Sequence, residues 1–119
     1  MTIMIARAGT AEGQAALDAG LAEAARRDED AVIFHLGGDD SDAGASELRG
    51  VRVAHRTPEA RGRDAVGDLL DAAEAVDASL IVVGIRHRSP MGKLLLGSAA
   101  QQILLESACP VLAVKPERT

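Results

Sequence analysis

Three glycines, two arginines, a histidine, a lysine and two serines fall within the stretch GIRHRSPMGKLLLGS, from Gly84 to Ser98. Cations beside glycines suit an anion, because glycine lets backbone N–H groups come close to a bound oxygen. From Ala78 to Leu105 there is no acidic residue, although the chain holds 18 Asp and Glu and a net charge of −5. An anion would meet a locally positive field from Arg86, His87, Arg88 and Lys93 inside an acidic protein. Ser98, with Gln101 three residues on, has the spacing of a capping box and predicts a helix start. The amides of Gly97, Ser98 and Ala99 would then add the positive end of a helix dipole. Each residue also has a plainer role: Gly84 and Gly97 as turn glycines, Ser98 as a cap, the arginines as solvated surface.

The usual phosphate loops do not match. A Walker A loop needs Ser or Thr after Gly-Lys, whereas Gly92-Lys93 is followed by Leu94. The turn AGTAEG, Ala8 to Gly13, lacks the Gly-x-Gly-x-x-Gly spacing of a dinucleotide fingerprint.

Short β-favouring runs surround these loops: Thr2 to Ala6, Ala31 to Leu36, Val51 to His55, Leu80 to Val83 and Val111 to Val114. The segments IMIA, AVIF and LIVV are apolar without alternation, as in strands covered on both faces. Helical periodicity appears at Leu17, Leu21 and Ala25, at Val66, Leu69, Leu70, Ala73 and Val76, and at Ala99, Ala100, Ile103, Leu104 and Ser107. Thr10 and Asp64 mark the starts of the first two. The pattern predicts a single α/β domain over residues 1–119. Its fold would be a five-stranded, parallel, doubly wound open sheet of order 3-2-1-4-5. Gly37 to Gly50 reads as a shortened second crossover with one turn of helix around Ala45 to Arg49. In such a sheet ligands bind where strand order reverses, between the first and fourth strands. Arg7-Ala8-Gly9-Thr10 and the Gly84–Ser98 stretch reach that edge together.

Composition narrows the partners. Phe34 is the one aromatic residue of the chain, so base stacking of the single-stranded nucleic-acid kind has almost nothing to use. Net negative charge disfavours nucleic acid and anionic lipid alike. A single cysteine, Cys109, excludes an internal disulfide. With no apolar run of membrane length and no leader-like segment, a cytoplasmic protein is expected. His35, His55 and His87 near strand ends, with Asp39, Asp40 and Asp42, raise the thought of a metal. Such histidines more often end a strand with a satisfied ring hydrogen bond, and no metal site is predicted. No nucleophile–base signature marks an enzyme active site, and no catalytic residue is assigned.

The segment VVGIRHRSPMGKLLLGSAAQQILLESACPVLAVK, Val82 to Lys115, resembles the carboxyl-terminal part of the universal stress protein family, particularly members from high-GC Gram-positive bacteria. IMIARAGTAEGQAAL, AVIFHL and RGRDAVGDLLDAAEAVDASLIVVG extend the likeness over nearly the whole chain. The family's nucleotide binders carry Gly, two residues, Gly, nine residues, then Gly-Ser or Gly-Thr. Gly84 and Gly97-Ser98 fit, with His87 in place of the second glycine, and Ala8 stands where an Asp usually precedes the first turn's Gly-Ser.

The resemblance implies a Rossmann-like, adenine nucleotide alpha hydrolase-like fold and a regulatory protein of the stress response. It would bind ATP or another adenine nucleotide through Arg7, Gly9, Gly84, Arg86, His87, Gly97, Ser98 and Ala99. His87 would donate its ring N–H to phosphate. The resemblance also implies a homodimer through the carboxyl-terminal strand, which would otherwise leave an open sheet edge. The alternative is a dimeric interaction module of the same fold that works without nucleotide; weak ATP hydrolysis is disfavoured because Ala8 supplies no metal ligand.

Overall fold

The computed structural model describes residues 1–8, 11–37, 44–58, 64–85 and 96–116. Strands β1 (Thr2–Arg7), β2 (Asp30–His35), β3 (Glu47–Leu48), β4 (Val51–Arg56), β5 (Ala78–Gly84) and β6 (Val111–Val114) form one sheet. Helices α1 (Ala11–Arg27), α2 (Ala65–Ala75) and α3 (Ser98–Glu106) cover it. The sheet order is β3-β4-β2-β1-β5-β6. The five parallel strands thus follow the expected order, and β3 is an addition, paired antiparallel to β4.

That sixth strand corrects the expected turn of helix at Ala45 to Arg49. Arg49 and Gly50 both have positive φ, 50° and 80°, and they separate the register partners Leu48 and Val51. Two such residues between paired strands make a primed two-residue hairpin turn, which Gly50 permits and a helix would forbid.

Alternation of side chains sends each strand's residues to two cores. Ile3, Ile5, Ala31, Ile33, Val53, Leu80 and Val82 pack with α1, while Met4, Ala6, Val32, Phe34, Ile81 and Val83 pack under α2 and α3. On α1 the buried stripe is Gly13, Ala16, Leu17, Gly20, Leu21 and Ala24, so Ala24, not Ala25, continues the apolar face. Small residues dominate that stripe because the helix lies close to the sheet. A Cβ on Gly20 would strike the Ile5 side chain. On the other face Leu69 and Ile103 are completely enclosed, each burial contributing about 1.5–3 kcal/mol. Leu104, expected to face inward, is 39% exposed.

Two helices end on aspartates in the left-handed region, Asp28 at φ 57° and Asp77 at φ 54°. These residues reverse the chain into β2 and β5; among non-glycine residues, Asp and Asn tolerate that conformation best. Asp64 caps α2 as its sequence position predicts, accepting from the Gly67 N–H at 2.9 Å. That bond, aided by Gln102 from α3, holds the Asp64 carboxyl below its ordinary value. A depressed folded value means the contribution is present above the unfolded Asp pKa and lost as pH falls through the folded one. Asp64→Ala should therefore lower the thermal midpoint at pH 7, with the gap to the parent protein closing on acidification. A pH series of melts followed by circular dichroism checks this.

Candidate functional site

At the carboxyl ends of the strands, β1 and β5 lie side by side while the chain leaves them for opposite faces of the sheet. A cleft of about 210 Å³ opens between them. Its floor is Ala6, Ala8 and Val83; its walls are the first turn of α1 and the amino end of α3.

Gly84 closes β5 against α1 with no room to spare. A Cβ there would overlap the backbone carbonyl of Glu12, and one on Gly13 would overlap the backbone of Ala8. These two glycines let the α1 amino terminus sit directly on the strand ends. The cleft's other wall starts at Gly97, whose φ of 85° and ψ of 151° make it the cap of α3. The capping-box expectation for Ser98 is thereby corrected: Ser98 is the first helical residue, and no side chain accepts at the cap. Chain direction explains this, since only glycine readily takes the Gly97 conformation from which the helix departs. The result leaves the first amides of α3 at the cleft wall without a side-chain acceptor at the cap, which suits an anionic group.

The model of the universal stress protein family matches residues 45–115. A universal stress protein of Mycolicibacterium smegmatis is 43% identical over 118 residues, covering 87% of this chain and 89% of the relative. The chain belongs to the universal stress protein family. Among solved structures, the universal stress protein of Archaeoglobus fulgidus superposes with a TM-score of 0.75 at 31% identity, covering 97% of this chain and 98% of that one. A second structure, of a universal stress protein from Archaeoglobus fulgidus in complex with dAMP, gives a TM-score of 0.68 at 23% identity, again over 97% and 98% of the two chains.

In this universal stress protein, Gly84, Gly97, Ser98 and Ala99 line the cleft together. Arg7 does not join them. Strand alternation places it on the α1 face with Ile3 and Ile5, where it is 6% exposed. Gly9, Arg86 and His87 lie outside the described residues, as do Thr10, Arg88, Lys93 and Asp39, Asp40 and Asp42. Sequence reasoning missed Glu12 and Gly13 on α1 and Leu36 beyond β2, all of which line the cleft. The one signal for Gly13 was a glycine in the opening turn of a helix, where it costs helix stability unless something needs the space.

His35 and His55, considered for metal, instead meet each other: His35 Nε2 is 2.8 Å from His55 Nδ1. Among the described residues no group of three metal-ligating side chains converges. Cys109 is half-buried beside Ser107, whose hydroxyl donates to the Cys109 carbonyl at 2.8 Å. Among the described residues no helix is long and apolar enough to cross a membrane.

Proposed function

We propose that this chain is a regulatory protein of the stress response that binds an adenine nucleotide in the β1–β5 cleft. The observation that carries the reading is the position of the α3 amino terminus, with its Gly97–Ala99 amides, on the wall of a cleft at the strand-order reversal. Phosphate would be held there by N–H groups and the helix dipole. Ala8 offers no side-chain acceptor to the nucleoside. Glu12 is the only carboxylate among the described lining residues, and it would accept from a ribose hydroxyl or the adenine amino group in that role. The solved relative holding dAMP supports the ligand class. Titration calorimetry with AMP, ATP and cyclic AMP tests it: saturable heat with at least one is expected, and none at millimolar ligand with folded protein rejects the reading.

A homodimer through β6 belongs to the same proposal. The far edge of the sheet is blunted by the two-residue β3, whereas β6 ends the other side with Leu112 37% exposed. The Pro110 and Val114 carbonyls accept from the Ile81 and Ile85 N–H groups at 3.0 and 2.8 Å. By alternation the Val111 and Ala113 backbone groups therefore face outward, where a second strand would pair. Light scattering should give a dimer at micromolar concentration and a monomer for Val111→Pro, which removes one outward N–H. A monomeric parent protein would exclude this interface.

A further inference from the structure

His35 and His55 end neighbouring strands on the face that α1 covers. Their rings are inclined by only 18° with centroids 5.1 Å apart, and His35 Nε2 lies 2.8 Å from His55 Nδ1. Nearly coplanar rings at that separation meet edge to edge, which aims an N–H along the acceptor's lone pair. The other nitrogen of His55, Nε2, lies 2.6 Å from the carbonyl oxygen of Ala45. A carbonyl only accepts, so His55 Nε2 carries a hydrogen. In the neutral ring His55 Nδ1 is then the acceptor, and His35 Nε2 must donate to it. One backbone carbonyl thus sets the tautomer of both rings.

We infer that this pair is an acid-sensitive latch that fastens the β3 arm of the hairpin, through Ala45, to the carboxyl end of the sheet. The nitrogens facing each other across 2.8 Å have room for one hydrogen between them, so the closed pair holds at most three on its four ring nitrogens. The same two rings in the unfolded chain hold four once the pH is below about 6.5, the ordinary histidine value. Where the unfolded state binds more protons, stability rises with pH. The latch is therefore secure above that value and weakens as pH falls through it.

His35 is 5% exposed and enclosed, whereas His55 is half-buried near the sheet edge. His55 is the ring free to swing out, and in leaving it gives up Ala45. Among the described residues, what then still holds the β3 arm is the Val53 N–H to the Ser46 carbonyl at 2.9 Å, two register pairs with β4, Leu48 packed against the α1-side core and an exposed ion pair of Arg49 with Asp18 on α1 at 2.8 Å, while β4 itself stays paired to β2. The charged groups on the elements packed around the pair are Arg7 on β1, Glu12 and Asp18 on the first half of α1, Glu47 and Arg49 on the hairpin, and Arg52 and Arg56 on β4. Arg7 is the register partner of His35 and is itself buried. The ceiling of one hydrogen between the facing nitrogens holds whatever the surrounding charges.

The test is long-range nitrogen-15 NMR of the full chain from pH 8 to pH 5, with amide exchange at Val53 and urea melts over the same range. At pH 8 both rings should show the Nε2–H tautomer. On acidification the unfolding constant should rise up to tenfold per pH unit below about 6.5, with Val53 protection lost before that of β1. A His35→Gln, His55→Gln double variant, which keeps His87, should lack this part of the rise. An Nδ1–H tautomer in either ring at pH 8 would overturn the latch. So would two fully cationic rings alongside unchanged Val53 protection. Both readouts come from the parent protein, so they decide the matter even where the variant does not fold.

Discussion

Replacing Gly84 with alanine is expected to destabilise the protein by about 2–3 kcal/mol and lower its thermal midpoint by about 10 °C. The new methyl group would fall on the backbone carbonyl of Glu12 in the first turn of α1. A side chain can swing away from such an overlap, but a helix backbone moves only by lifting the whole turn. Alanine stiffens the unfolded chain, which returns about 0.4–1 kcal/mol where the native conformation tolerates it. Overpacking of a well-filled site costs about 1–3 kcal/mol and sometimes more, and a rigid neighbour places this case at the upper end. Gly37 and Gly50, with positive φ but open space around a Cβ, provide the contrast: their alanine variants bear backbone strain alone. Urea and thermal melts by far-ultraviolet circular dichroism would report all three, since the chain has no Trp or Tyr. A Gly84→Ala protein as stable as its parent would show that the glycine is not there for the helix, and would return the weight to its role beside a ligand.

Replacing Ser98 with aspartate is expected to separate folding from binding by moving them in opposite directions. A carboxylate in the first turn of α3 complements the helix dipole and should add about 0.3–1 kcal/mol of stability. The same charge stands where the nucleotide phosphate is proposed to sit, and should weaken binding by at least about tenfold, or 1.4 kcal/mol. Ser98 suits the experiment because its side chain caps nothing, so no structural hydrogen bond of the cap is lost with the hydroxyl. Calorimetry with the tightest of AMP, ATP and cyclic AMP reads the affinity, and a thermal melt reads the fold. Unchanged affinity in a stable Ser98→Asp protein would remove phosphate from the α3 terminus. Binding lost together with stability would mean that the helix, and not the charge, was disturbed.

The strands were legible because both faces of the sheet are covered. IMIA, AVIF and LIVV are uninterrupted apolar runs, and each lies inside an observed strand. The amino end of α2 was legible because Asp64 does chemistry that any extended residue before a helix can do locally. The hairpin at Arg49-Gly50 was not, since a lone Arg-Gly pair is a weak turn signal until Leu48 and Val51 are known to face each other. Ser98 misled for a related reason. A serine followed three residues on by glutamine has the composition of a cap, but the conformation of Gly97 starts the helix one residue too early for the serine to reach back.

The cleft shows the same division. Gly84, Gly97, Ser98 and Ala99 were placed at one edge of the sheet by chain order, since a strand end and a helix start that follow one another along the chain meet there. Arg7 was drawn to the same edge by chain order, yet a strand alternates its side chains and carries it to the opposite face. That step depends on which neighbour, Ala6 or Arg7, faces α1.

By itself the sequence determined the class of fold, the parallel strand order expected of it, and the acid-free stretch that makes one edge of the sheet suited to an anion. These follow from local propensity, apolar runs and charge, which need only residues near one another in the chain. The tertiary structure decided that Gly84 and Gly13 serve the seating of α1, that Glu12 enters the cleft, and that His35 and His55 share one hydrogen. Each of those depends on contacts between residues 5 to 72 positions apart, at distances where an ångström changes the chemistry, and no periodicity along the chain records such contacts.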